Sequence, residues 1–357
     1  MKLYHLSDLH LGVDPPALGR VRHRRLVFEK MKELAHRALE EEVRFLLLAG
    51  DVFDSNAVST ELALSFLELL ASFEGLNFVL IPGGGGAHRE VSGHDAYTPD
   101  SVYRRLEVRA FFSRHKNLHL LTPEEPVASF PEEGVSFYGG FFAYPRARLR
   151  EETAFHVALL HGPFGERADF GEISLRTPEA QQYDYLALGH YHSFRRLTPR
   201  AAYSGAFLQF EFLPRAEGVS GYVEVELSPS EEPRVIYHSF PDAPRFIYHE
   251  LFTPEDLRRL EETDFEHTYV KITGYLSHLR SKLEALKERY PERVFFAEAA
   301  ELEPEAVTFV KILEDILTRR APEELRQEVK ELLLYGLQVS AKRPNLERFL
   351  KDKYGLW

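Results

Sequence analysis

Phe45-Leu46-Leu47-Leu48-Ala49-Gly50-Asp51-Val52-Phe53-Asp54 runs through five apolar residues and then stops on a glycine and two carboxylates. A continuous apolar run of this length suits a strand covered on both faces. Three other stretches share the design. Leu3-Tyr4-His5-Leu6 leads into Ser7-Asp8-Leu9-His10, Val157-Ala158-Leu159-Leu160 into His161-Gly162, and Tyr185-Leu186-Ala187-Leu188 into Gly189-His190-Tyr191-His192. Ligands of α/β sheets collect just outside the carboxyl ends of the strands. Four strands delivering Asp and His to one such edge are hard to explain by core packing.

Each piece alone has a plainer reading. Asp8-x-His10 is a common pair, and His161 by itself could be a core histidine bonded to a backbone carbonyl. Gly189-His190-x-His192 says more, because alternate residues of a strand face the same side and both imidazoles can converge. Taken together, Asp8, His10, Asp51, His161, His190 and His192 form a candidate metal site. Imidazoles mixed with carboxylates suit Mn, Fe, Zn or Co better than magnesium. Six ligands exceed one tetrahedral site but suit two ions sharing a carboxylate, roughly 3.5–4 Å apart, as in metal-assisted phosphoester hydrolysis.

Around these strands the first half alternates with amphipathic helices, expected over 21–42, 60–73 (with Ser59 as N-cap) and 101–115. Strand follows helix often enough to predict a layered α/β fold. After Asn117 strands dominate, ending in a hairpin (222–227 and 234–240) and a linker at Pro241-Asp242-Ala243-Pro244. Beyond it the pattern predicts a small βαβαβ unit and then a helical tail with apolar Val307, Val310, Leu313, Ile316 and Leu317 on one face. The expected division is 1–243, 244–300 and 301–357.

The 357 residues lack cysteine, so thiolate ligands and disulfides are excluded. No apolar run is long enough for a membrane span, and Met1 to His5 reach polar Ser7-Asp8 too soon for a signal peptide. A cytoplasmic protein is expected. Asn numbers only four and Met two, against abundant Glu and Arg, a balance that suggests a thermophile, although a GC-rich genome biases codons similarly. The net charge of −12 disfavours unaided nucleic-acid binding. Local basic clusters exist at Arg20, Arg22, Arg24 and Arg25 and at Arg104, Arg105, Arg109, Arg114 and Lys116, though most such clusters are solvated faces.

The four blocks resemble the calcineurin-like metallophosphoesterase superfamily, whose motifs read D-x-H, G-D-x-x-D, G-N-H-D, H-G and G-H-x-H. Leu6 to Gly12, Gly50 to Asp54, Ala187 to His192 and Tyr203-Ser204-Gly205-Ala206 are most similar to its SbcD-type DNA repair exonucleases, the nuclease partners of a coiled-coil (SbcC-type) ATPase. The resemblance covers roughly residues 1–210. It implies a four-layer αββα sandwich, a small α/β capping domain and a helical tail that docks the ATPase. It further implies a homodimer, DNA as substrate and two divalent ions, manganese foremost. Asp8, His10 and His192 would hold one ion, Asp51 would bridge, and His161 and His190 would hold the second.

One block departs from the family. After Phe78-Val79-Leu80-Ile81 the chain reads Pro82-Gly83-Gly84-Gly85-Gly86-Ala87-His88-Arg89-Glu90-Val91-Ser92-Gly93-His94-Asp95, with no Asn. Gly93-His94-Asp95 preserves the rest of the block, which makes His94 the expected phosphate-contacting catalytic histidine, with His88 as the rival alignment. Three outcomes stay open: a substitute ligand from His88 or His94, a weak second ion, or lost catalysis with a DNA- or partner-binding scaffold remaining. A metallophosphodiesterase or phosphatase acting on a small substrate is the alternative to the nuclease.

Overall fold

A computed structural model of the chain describes residues 1–83, 94–141, 143–165, 172–212, 220–251, 254–274 and 280–296. Two six-stranded sheets dominate it. The first runs β14 (Arg234–Ser239), β13 (Gly221–Glu226), β1 (Lys2–Leu6), β2 (Phe45–Ala49), β3 (Asn77–Ile81), β4 (Leu118–Leu120). The second runs β11 (Arg195–Thr198), β12 (Ala201–Tyr203), β10 (Tyr185–Gly189), β7 (Phe155–His161), β6 (Val135–Phe141), β5 (Val127–Phe130). β1 to β4 are mutually parallel, as are β6, β7, β10 and β12, so each sheet has one carboxyl-terminal edge.

The two-residue period of the strands builds the layers. Leu46 and Leu48 of β2 point one way, with Tyr4, Leu6, Phe78 and Leu80, into a core shared with helices. Phe45 and Leu47 point the other way, with Leu3, Val79 and Ile81, onto Val157, Leu159, Tyr185 and Ala187 of the second sheet. All five β2 residues are buried, as a strand covered on both faces requires. Each fully buried Leu or Phe contributes about 1.5–3 kcal/mol.

Helices α1 (Arg20–Glu40), α2 (Thr60–Ala71) and α3 (Leu106–Arg114) cover the outer face of the first sheet through Val27, Met31, Leu34, Phe66, Leu67 and Val108. Ser59 caps α2 by accepting from Leu62 N, as expected. The outer face of the second sheet is covered more thinly, by the four-residue α4 (Pro178–Gln181), the small ladder of β8 (Phe164–Gly165) with β9 (Ile173–Ser174), and loops carrying Tyr183 and Leu175.

The single helix expected over 101–115 is corrected to a 3-10 turn (Val102–Arg104) and α3, broken at extended Arg105 (φ −63°, ψ 139°). The break is held from outside. The Arg105 guanidinium donates to Val58 O at 2.6 Å, to Thr60 Oγ1 at 3.2 Å and to Asn56 O. Arg104 stacks over Tyr97 and pairs with Glu124, so both arginines serve the fold.

β15 (Arg245–Leu251), α5 (Pro254–Glu261), β16 (Thr268–Gly274), α6 (Arg280–Arg289) and β17 (Val294–Phe296) make the expected βαβαβ unit, a three-stranded parallel sheet. It has its own cluster of Leu260, Phe265, Val270, Ile272, Leu283 and Val294. Phe246 and Tyr269 pack with Leu18 and Phe212 of the larger body. The helical tail expected over 301–357 lies outside the described residues. Among the described residues no helix is long and apolar enough to cross a membrane.

Candidate metal centre

β1 and β2 of one sheet and β7 and β10 of the other end at the same edge of the sandwich. There the loops after β1 and β2 run side by side: Asp8 N bonds Gly50 O, His10 N bonds Asp51 O and Leu11 N bonds Val52 O, each at 3.0 Å. Asp8 (φ 53°), His10 (45°), Asp51 (50°), His94 (56°) and His190 (117°) all adopt positive φ. Such backbone costs a non-glycine residue about 1–3 kcal/mol and persists where its surroundings over-determine it. Here it turns the chain sharply out of each strand and aims the side chains inward.

The sheets approach closely at this edge. A Cβ on Gly189 would lie 2.0 Å from Ala49 O, and one on Gly50, itself at φ +90°, would lie 2.3 Å from His161 Nδ1. Asp51 sits at the centre of the cluster. Its Oδ2 lies 3.4 Å from His161 Nε2, 3.6 Å from His10 Nε2 and 3.9 Å from His94 Nε2. Asp8 Oδ1 lies 3.9 Å from His192 Nε2 and 4.0 Å from His10 Nε2. Three overlapping ligand groups result: Asp8–His10–His192, Asp8–Asp51–His161 and His10–Asp51–His94.

Three of these four imidazoles turn Nε2 inward because a hydrogen bond holds Nδ1. His161 Nδ1 donates to Ala49 O at 2.9 Å, and His94 Nδ1 to Asp54 O at 3.0 Å. His10 Nδ1 faces the Asp54 carboxylate at 3.4 Å, and His192 Nδ1 bonds Glu211. A hydrogen-bond partner behind His161, His94 and His192 fixes each tautomer and keeps the Nε2 lone pair free, the usual arrangement of a metal-ligating histidine, whereas His10 Nδ1 is buried without a hydrogen bond. His10 Nε2 and Asp51 Oδ1 are buried without a hydrogen-bond partner, a costly state unless a cation occupies the space between them. The donor set therefore fits divalent ions.

His190 is placed differently. Its backbone N–H donates to Asp8 Oδ1 and Oδ2 at 3.2 and 3.1 Å, and its ring lies beside His161 with centroids 5.5 Å apart, in none of the three ligand groups.

The charges answer one another. Burial alone would raise the Asp51 carboxyl, but His161, His10 and His94 hold it below its usual range. Burial alone would lower His161, but Asp51 outweighs it and raises the imidazole. Asp95 goes the other way, pushed up first by complete burial and then by the nearby Asp51 charge.

The divergent block closes through Asp95, which accepts from Gly83 N at 2.6 Å, Phe53 N at 3.1 Å and Tyr103 Oη at 2.6 Å. Gly83 passes so close to the cluster that a Cβ there would lie 1.5 Å from Asp51 Oδ1. His94 thereby reaches His10, with ring centroids 4.5 Å apart, and remains half exposed at the rim. His88 lies outside the described residues. Sequence reasoning missed four supports: Asn56, which bonds Ala96 O and Val102 N; Tyr103; Phe210, packed on His10 and His192; and Glu211.

Residues 1–194 match the calcineurin-like phosphoesterase family. The chain belongs to that family. It is similar to the DNA double-strand break repair protein Mre11 of Saccharolobus solfataricus, at 22% identity over 62% of this chain and 57% of the relative. The Mre11 of Methanopyrus kandleri shares 28% identity over 54% of this chain and 44% of its own. The uncharacterized metallophosphoesterase YhaO of Bacillus subtilis shares 29% over 56% of this chain and 52% of its own. The chain thus spans about half the length of the curated relatives it matches. Members of the family are metal-binding phosphoester hydrolases, and the three groups of Asp and His at this edge are ones that could hold a metal ion.

Proposed function

We propose that the chain is a Mn2+-dependent nuclease that hydrolyses DNA phosphodiester bonds. Asp8, His10 and His192 would hold one ion, Asp51 would lie between two, and His161 with His190 the second. Divalent ions there supply Lewis acidity at the phosphoryl oxygens and a water acidified to near neutrality. His94, with Nδ1 fixed on Asp54 O, offers Nε2 to a phosphate oxygen or leaving group.

The observation that favours a polyanionic substrate is the start of α1. His23 is buried against Phe210, the ring that packs on His10 and His192. Arg20, Arg22, Arg24 and Arg25, on the same helical turns, are exposed. Four arginines thus share the helical turns of His23, one of them, Arg25, paired with Glu29 at 3.6 Å, and in a protein whose net charge is −12 such cations would offset the acidic field for an approaching phosphate backbone. The two Mre11 relatives support the same reading. With it come a coiled-coil ATPase partner docking through 301–357 and a homodimer.

The net charge itself favours a second reading, hydrolysis of a small phosphodiester. Double-stranded DNA of graded length, assayed with Mn2+ beside bis-p-nitrophenyl phosphate, separates the two. The nuclease reading predicts kcat/KM that rises with duplex length. Equal efficiency on dinucleotides and long duplexes would reject it.

A further inference from the structure

We infer that Glu211 is a positioning residue, which sets the tautomer and orientation of His192 and so the affinity of the metal position His192 shares with Asp8 and His10. Glu211 lies beyond the segment that matches the family, 19 positions after His192, yet its Oε1 accepts from His192 Nδ1. With that nitrogen carrying the proton, the Nε2 lone pair faces Asp8 Oδ1 across 3.9 Å. The Glu211 side chain is 45% exposed, yet one carboxylate oxygen is held on the imidazole.

The backbone around Glu211 is itself tied down. Gln209 Nε2 donates to Glu211 O at 3.0 Å and to Phe246 O at 2.6 Å, while its Oε1 accepts from Phe246 N at 2.9 Å. One amide thus clamps the segment to β15. Phe210 presses on the rings of His10 and His192, with centroids 4.5 and 4.9 Å away. Phe212 turns to the small sheet, against Phe246, Tyr248 and Phe295. Four consecutive residues therefore anchor in the small sheet at 209 and 212 and brace the metal cluster at 210 and 211. Ala49 O stands behind His161 and Asp54 O behind His94, and Glu211 is the equivalent support for His192. Removing such a carboxylate from behind a ligand imidazole weakens metal binding about 10- to 100-fold.

This inference rests on the metal reading above, and its test keeps the two apart. Mn2+ binding to EDTA-stripped full chain is measured by the EPR signal of free Mn2+ for wild type, Glu211→Ala and Glu211→Gln. His192 tautomers are read from 15N shifts of the metal-free protein. Glu211→Ala should weaken one class of Mn2+ site about 10- to 100-fold and move His192 away from the Nδ1–H form, with the melting temperature unchanged. Glu211→Gln, whose Oε1 still accepts, should recover part of both. Wild type that binds Mn2+ while Glu211→Ala binds it equally well overturns the role of Glu211 alone. Wild type that binds no Mn2+ overturns the metal reading and this inference with it.

Discussion

Asp95→Ala removes the single acceptor on which three buried donors converge, the Gly83 and Phe53 amides and the Tyr103 hydroxyl. Each donor left unpaired in the interior costs about 1–3 kcal/mol. Two effects offset that sum. The carboxyl that disappears is one that burial and Asp51 push upward, so its loss relieves repulsion. The space vacated by the carboxylate can also admit a water that satisfies some of the donors. The expected net loss is about 3 kcal/mol, with Tyr103→Phe, which removes one donor and keeps the shape, costing about 1–2 kcal/mol. Urea unfolding in EDTA, followed by tyrosine and tryptophan fluorescence, isolates the effect from any metal linkage. A lower midpoint at unchanged slope is predicted. A loss for Asp95→Ala below about 1 kcal/mol would refute the idea that Asp95 anchors the divergent block.

Gly83→Ala places a Cβ 1.5 Å from Asp51 Oδ1, so Asp51 must move, and Mn2+ affinity should fall at least about 10-fold; calorimetry showing wild-type affinity would contradict the placement. Burial lowers His5 to about 3 and His119 to about 4 from the usual 6.5. Below about pH 6.5 the unfolded chain therefore binds protons that the folded one refuses, and stability falls by up to about 1.4 kcal/mol per pH unit for each histidine. Urea unfolding at pH 7, 6 and 5 should show that slope, shallower in His5→Gln; a pH-independent midpoint would rule it out. Replacing Arg20 and Arg24 with alanine should weaken duplex binding and reduce the log–log salt slope by about 1 for each phosphate left without its arginine. A salt slope equal to the wild type's would remove α1 from the DNA surface.

The strands that build the site were legible because burial on both faces keeps their central residues largely apolar. β1, β2, β7 and β10 read as apolar runs, and their carboxyl ends marked where Asp8, His10, Asp51, His161 and His192 meet. The short strands β5 and β11 at the edges of the second sheet, and β12 beside β11, were not, since three or four residues carry no periodic signal. The break at Arg105 escaped for a different reason: carbonyls 47 and 49 positions earlier hold it, and no local propensity encodes that. His88 and His94 were rivals that residue type alone could not separate. The structure brings His94 to Asp51 and His10 because Asp95 is pinned to Gly83 and Phe53. Glu211 had no motif around it at all. Its partner is 19 positions away, and only the fold supplies the meeting. The left-handed backbone at Asp8, His10, Asp51, His94 and His190 was likewise unreadable, because these residue types give no steric hint of it.

Asp51, on which His10, His94 and His161 converge, is where the phosphoesterase reading is most exposed. EDTA-stripped wild type and Asp51→Asn, titrated with Mn2+ and assayed on bis-p-nitrophenyl phosphate, put it to the test. Turnover that appears only with Mn2+ in the wild type and drops at least about 100-fold in Asp51→Asn is the predicted result. Turnover that needs no metal, or that survives in Asp51→Asn, would contradict it.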